Sequence, residues 1–439
     1  MKKWMWCLGL WAVVCFPAAD LSAQIDQLSN LSAEWIRLPT RNAATDSTDI
    51  VYYNPAGLTQ MTDGLHLNLS NQSLFRRPNH SYNLGLPGAD TYQESVQDGV
   101  DWLLPNFYAA YKKDNWAIFG GIYIPGGGAV ADYPNGSVNT KFIGSMTLLN
   151  SGGRLTGFSN DSLEASSLYL TSTIGGAYAV SDKISVAVGI RYISARNETE
   201  AGAVFTDALG GSHEYRLDTE DTASGFGGIF GLNIQPVEKL NIGMRYESSV
   251  PLTFETEVNC NDFPQELGLA EYKDRNRRDF PGAFGVGAAY QMTPKLTGEV
   301  DFTYYLQQQA NWGYTDDGES VADMAGDCWG LGAGLAYQLT EKLQLSTGAL
   351  FTKFEWDDIH GYYQTPGAFE TLYSDNWNLG IGCAYEIRKG LKLNLGAAYT
   401  LWEDETIAYS LAAENGLGDV QVDTHNSTLT LAIGIDAAF

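Results

Sequence analysis

The stretch WGLGAGLAYQLTEKLQLSTGAL, running from Trp329 to Leu350, reads as two strands joined by a short polar turn. In its first half Trp329, Leu331, Ala333, Leu335, Tyr337 and Leu339 share one face, while Gly330, Gly332, Gly334, Ala336 and Gln338 share the other. Successive side chains of a strand point to opposite sides, so this is one large apolar face backed by a small or polar one. A soluble sandwich also alternates. Here, however, such strands run about ten residues or more and carry Tyr or Trp near their ends. They also place Arg245, Glu247, Glu299, Asp301 and Lys392 on the face opposite the large apolar residues. Length, aromatic ends and a polar interior predict a transmembrane β-barrel, whose closure satisfies every backbone hydrogen bond in lipid.

The same hairpin recurs along the chain: AYAVSDKISVAVGIRY from Ala177, LNIQPVEKLNIGMRY from Leu232, AYQMTPKLTGEVDF from Ala289 and AYEIRKGLKLNLGAAY from Ala384, with a sixth, similar copy from Ala109. The pattern predicts an all-β chain of about fourteen antiparallel strands, from 64–75 to 425–439, with the fourth to sixth at 166–180, 183–197 and 222–236. Six short turns alternate with seven long connections, which places the short turns on the periplasmic side. In the last strand Leu429, Leu431, Ile433, Ile435, Ala437 and the terminal Phe439 share a face, with Thr430, Gly434 and Asp436 on the other. A terminal aromatic in register with an apolar face is similar to the signal read by bacterial barrel-assembly machinery, which is the expected assembly partner.

At the start, Lys2 and Lys3 precede an apolar run from Trp4 to Phe16 and the small-residue site Leu21-Ser22-Ala23, so residues 1–23 are expected to be a removed signal peptide. That run, about 13 residues, is well short of the ~20 a spanning helix needs. Cys260, Cys328 and Cys383 remain, an odd number without metal-ligand spacing. A formal charge of −26 excludes nucleic acid as a partner class. The acidity gathers in long connections, as at Asp316, Asp317, Glu319, Asp323 and Asp327, and reads as solvated loop surface or as a place where divalent cations bridge to lipopolysaccharide. Five histidines, no Gly-x-Ser-x-Gly elbow and no His-Glu-x-x-His pair argue against an enzyme, and no phosphate loop is present. No cofactor or metal is expected.

Residues 24–63 do not alternate, yet Trp35, Ile36, Leu38, Ile50, Val51, Tyr52 and Tyr53 call for burial, which predicts a segment tucked into the barrel formed by 64–439. Within it lies DSTDIVYYNPAGL, Asp46 to Leu58. Pro55 fixes its own φ and biases Asn54 away from the helical region, so Asn54-Pro55-Ala56 is a rigid turn. This segment resembles the N-terminal motif of the FadL-type long-chain fatty-acid transporter family, with Asn54, Pro55 and Ala56 on the family's Asn-Pro-Ala.

The resemblance implies a Gram-negative outer-membrane channel, closed by an N-terminal hatch, that passively takes up long-chain fatty acids, aromatic hydrocarbons or other small hydrophobic molecules, and a monomer is expected. It also implies a kinked third strand that lets ligand leave sideways. Here that strand runs from Trp116 to Ile124 into Pro125-Gly126-Gly127-Gly128, where a missing donor and three glycines disturb pairing; an ordinary strand exit is the other reading. The following loop, about 129–165 and the longest by this reading, contains Phe142, Ile143, Met146, Leu148 and Leu149, candidates for external ligand capture or for packing within the loop. Arg191 and Arg245 are lumen cations for a carboxylate ligand or for pairing with a wall carboxylate such as Glu299, while Arg275, Arg277 and Arg278 fall in a loop. A general porin would lack the hatch, and a structural adhesin would have a sealed lumen.

Overall fold

A computed structural model describes residues 27, 29–83, 92–97, 99–263, 275–315, 318–365, 367–371, 373–410 and 419–439. The expected signal peptide, the first residues of the hatch, and Asp316 and Asp317 lie outside them. Among the described residues no helix is long and apolar enough to cross a membrane.

Fourteen antiparallel strands form the wall. In order they are Gly64–Arg76, Asp101–Lys113, Trp116–Tyr123 continued by Gly127–Tyr133, Leu155–Ser181, Ile184–Asp207, Ser212–Val237, and Leu240–Glu247 continued by Thr253–Asn261. The second half adds Arg275–Arg277 continued by Gly282–Thr293, then Leu296–Leu306, Cys328–Gln338, Leu343–Phe354, Asn376–Arg388, Leu391–Trp402 and Ser427–Ala438. The sheet closes because the first strand pairs on both sides: Leu67 lies opposite Ala109 of the second strand and opposite Ala437 of the last. Closure leaves no wall edge to be satisfied by lipid.

The faces follow the sequence alternation. Ile174, Val188, Ile190, Leu331, Ile381 and Ile433 point outward and are exposed, whereas Ser185, Arg191, Asn233, Asn378 and Asn394 are buried inside. Trp329 and Tyr337 mark the two ends of the outward band on the tenth strand, eight residues or about 27 Å of strand apart, the scale of a hydrocarbon layer.

Two expectations need correction. The fourth, fifth and sixth strands are 27, 24 and 26 residues long, so segments assigned to connections continue the ladder, with Glu198 opposite Glu220 and Phe205 opposite His213. Seven long outer connections therefore become six, because the fifth and sixth strands join through a tight turn at 208–211. The extension stands outside lipid, where its outward face carries Glu198 and Glu200 while Asn197 and Thr199 are buried on the other, so it lacks the one-sided apolar signature of the wall. The loop expected at 129–165 is also shorter than thought: the third strand runs on to Tyr133, the helix Val138–Asn150 follows, and the fourth strand starts at Leu155, while the connections at 77–100 and 403–426 are longer.

Those two connections build a roof over the outer mouth. Glu405–Ser410, Asp419–His425, Asn79–Asn83 and Tyr92–Val96 form a separate four-stranded antiparallel sheet in that order. Beneath it an aromatic core forms around Tyr82, Phe142, Phe354, Tyr362, Tyr363 and Phe369.

Candidate functional site

The N-terminal segment sits inside the barrel. Its first helix, Ala33–Arg37, is capped by Ser32, whose Oγ accepts the Trp35 N–H at 3.0 Å, and it packs on the last two strands and the twelfth. A second helix, Ile50–Tyr53, leads into the 3-10 turn Pro55–Gln60. Between them Asn54 is extended, with φ −162°, and its Oδ1 accepts the Ala56 N–H at 3.3 Å. Its Nδ2 donates to the carbonyls of Asn42 and of Leu232 in the sixth strand, both at 3.1 Å, so the motif turn is tied to the wall.

The glycine-rich inner face of the tenth strand has a direct cause. Pro39 O would lie 3.1 Å from a Cβ at Gly332, and a Cβ at Gly334 would overlap the Leu38 side chain. Plug backbone runs close against the wall at Gly332, and the Leu38 side chain fills the space at Gly334. Polar pairs finish the seat: Glu34 Oε1 accepts from Asn68 at 2.8 Å and from Asn394 at 2.7 Å, and Asp436 accepts from Ser47 at 2.8 Å. Arg41 is held by Asp49 at 2.6 Å and Asp46 at 2.9 Å, and Lys392 donates to the Asp46 carbonyl at 3.2 Å.

Arg191 and Arg245 both face the lumen and are buried, and they converge on Glu247, not on Glu299. Arg191 Nη1 lies 2.5 Å from Glu247 Oε2 and Arg245 Nε lies 3.6 Å from Oε1. The Arg245 guanidinium also stacks over the Tyr52 ring at 4.5 Å. Glu299 instead accepts a hydrogen bond from Thr40 of the plug at 3.2 Å. The signal for the actual pairing was present: Glu247 lies two residues beyond Arg245 and shares its face. In the outer region Arg277 pairs with Asp279 at 2.9 Å.

At Pro125-Gly126-Gly127-Gly128 the wall is irregular. The ladder between second and third strands ends at Phe107 opposite Ile122, leaving Asp101–Asn106 without backbone pairing to the third strand. The third strand keeps its other partner, with Tyr123 opposite Thr171 and then Gly127 opposite Leu168, and Gly127 and Gly128 have φ of +65° and +82°. Those angles suit glycine. Leu74, Leu104 and Ile124 pack together in the breach, and Leu104 occupies the space a Gly128 side chain would need.

Of the capture candidates, Phe142 is buried in the roof, stacked on Tyr409 with centroids 4.1 Å apart and on Tyr82 at 5.8 Å. Ile143 of the same helix is exposed, and Leu148 is half-buried. Met146 and Leu149 belong to that helix too, but their side chains lie outside the described set.

Between plug and roof lies a cavity of about 260 Å3, lined by residues as distant as Tyr52, Leu74, Arg245, Gln307, Asn378 and Glu370. Sequence reasoning did not single out Gln307, Asn378 or Glu370, since strand polarity alone does not say which inner residues meet at one height.

The chain thus forms a closed fourteen-stranded barrel around an N-terminal plug carrying Asn54-Pro55-Ala56, and its second and third strands part beyond Phe107 and Ile122. A sequence profile of the outer membrane protein transport protein family (OMPP1/FadL/TodX) matches residues 38–439. The chain belongs to this family. It is therefore an outer-membrane protein of a transporter family for hydrophobic compounds, and not an enzyme. No curated protein matches it. Among solved structures, a Pseudomonas aeruginosa FadL homologue superposes with a TM-score of 0.64 at 12% identity, covering 94% of this chain and 100% of that one. The Ralstonia pickettii toluene transporter TbuX gives 0.60 at 15% identity, covering 94% and 99%. The Pseudomonas putida toluene transporter TodX gives 0.60 at 14%, covering 95% and 100%. These FadL-family neighbours share its fold.

Proposed function

We propose that this FadL-family member is a channel for passive uptake of long-chain fatty acids or other small hydrophobic molecules, which leave sideways through the wall at Pro125-Gly126-Gly127-Gly128. The observation that carries this reading is the second-to-third-strand ladder ending at Phe107 and Ile122, with Leu74, Leu104 and Ile124 filling the breach. Leucine and isoleucine side chains in place of backbone hydrogen bonds make an opening that apolar ligand crosses without stripping water from a polar group. The plug, seated by Asn54, Pro55 and Ala56, blocks the straight path to the periplasm, which favours a sideways exit and counts against a general porin. Ligand is first gathered near Phe142, Ile143, Met146, Leu148 and Leu149. Aromatic hydrocarbons fall within the same substrate range, and two toluene transporters stand among the structural neighbours. The chain acts as a monomer amid lipopolysaccharide, inserted by barrel-assembly machinery through the strand ending in Phe439.

The test is uptake of radiolabelled oleate and of a neutral aromatic hydrocarbon by cells lacking and then re-expressing the protein. A variant with residues 125–128 replaced by strand-forming residues is run beside it. Restored uptake of either compound, absent in a folded variant, supports sideways release. Uptake of small sugars alone would replace the reading with that of a porin, and partner binding by the loops with a sealed lumen would favour an adhesin.

A further inference from the structure

The cavity between plug and roof is poorly matched to a fatty carboxylate. Two arginines line it, and both are engaged among the described residues: Arg245 with Glu247 and the Tyr52 ring, and Arg76 with Asp101 at 3.2 Å and the Val130 carbonyl at 2.9 Å. The lining offers unpaired polar groups of both kinds, donors such as Gln27 Nε2 and Asn197 Nδ2 and a larger set of hydrogen-bond acceptors. Gln307 Oε1, Asn378 Oδ1, Asn426 Oδ1 and Glu370 Oε1 are buried without a partner, on residues between 2% and 8% exposed. Asn378 Nδ2 donates to Thr400 Oγ1 at 2.9 Å. The Glu370 carboxyl takes a hydrogen bond from Asn139 Nδ2 through its other oxygen, Oε2, at 2.5 Å.

Buried acceptors left unpaired are costly. A site built around them discriminates strongly against ligands that bring no donor. A pure hydrocarbon brings none, and a carboxylate brings only further acceptors. An uncharged head with several hydroxyl groups brings donors that can turn toward all four oxygens. Leu74 lines the same cavity and belongs to the apolar trio in the wall breach, so a chain attached to such a head has a continuous apolar path beside it.

We propose that the molecule taken up is an uncharged, hydroxyl-bearing amphiphile, with its polyol head in this cavity and its hydrocarbon chain toward Leu74, Leu104 and Ile124. This rests on the uptake reading above and narrows its substrate class.

The test uses the full protein in lipid nanodiscs, free of sugar-headed detergent, titrated calorimetrically with 1-mono-oleoylglycerol, oleate and naphthalene. The expected result is binding of mono-oleoylglycerol at least about tenfold tighter than oleate. Gln307→Leu and, separately, Asn426→Leu should each weaken the glyceride about tenfold and leave naphthalene unchanged. The two positions lie on different connections, so one misfolded variant still leaves the other. Oleate binding as tightly as the glyceride, or glyceride affinity indifferent to both variants, overturns the proposal, water then being the partner of these oxygens, while the uptake reading stands. No binding of any of the three, with no uptake of them by expressing cells, removes the uptake reading as well.

Discussion

Asn54 Nδ2 lies 3.1 Å from the carbonyl oxygen of Leu232, and through this bond a fully buried plug residue is fastened to the sixth wall strand. The same amide holds Asn42 O, and its Oδ1 holds the Ala56 N–H, so one side chain sets the plug's internal turn and its attachment. Asn54→Ala should lose all three bonds and loosen the plug by roughly 1–3 kcal/mol, with the barrel intact. Hydrogen exchange of residues 42–58 measures this. Unchanged protection there would show that the motif does not seat the plug.

Gly243 lies directly beneath this contact. An added Cβ would overlap the Asn42 carbonyl oxygen and come within 2.6 Å of Asn54 Nδ2. Gly243→Ala is expected to displace the plug at a cost of roughly 1–3 kcal/mol, the usual range for overpacking. The same exchange protection, and the unfolding midpoint in urea, report it. Stability equal to wild type would mean that the plug shifts freely at this point.

The lumen triad makes an asymmetric prediction. Arg191 and Arg245 share the single carboxylate of Glu247, so Glu247→Ala strands two buried cations, whereas Arg191→Met leaves Arg245 and Glu247 as a neutral pair. Removing the carboxylate should cost roughly 3–5 kcal/mol and removing Arg191 distinctly less. Reversible folding of the two variants into lipid vesicles compares them, and equal losses would contradict the shared-charge picture.

The roof should respond to acid through His80. Burial lowers the His80 imidazole from its ordinary 6.5 to about 4, between the rings of Tyr133 and Phe369. A histidine held neutral in this way contributes stability that is fully present above pH 6.5 and is lost as pH falls toward 4, up to roughly 3 kcal/mol. Nearby Glu370 has the opposite sign: burial pushes its carboxyl up, so its contribution is present at low pH and fades as pH rises through its folded value. Limited proteolysis of the roof at pH 7.5 and 4.5 should show faster cleavage in acid, a response abolished by His80→Phe and steepened by Glu370→Gln. Cleavage independent of pH in all three proteins would dismiss the assignment.

By itself the sequence determined the wall. A two-residue period is local, so Trp329 to Leu339 and Leu429 to Phe439 disclosed their lipid and lumen faces without any partner strand, and Asn54-Pro55-Ala56 disclosed a rigid turn in a segment needing burial. The inner glycines were legible too, but the reason for Gly332 and Gly334 was not, because it lies in Leu38 and Pro39 some 300 residues away. Tertiary structure alone decided that Arg191 joins Arg245 on Glu247, that the strands at 155–237 continue beyond the lipid, and that Gln307, Asn378, Asn426 and Glu370 face one cavity. Outside the bilayer the outward face of a strand meets water, so Glu198 and Glu200 stand where the wall carries large apolar residues and the apolar alternation disappears. Inside the lumen, the height of each residue depends on the stagger of every intervening strand, a long-range quantity that local patterning does not carry.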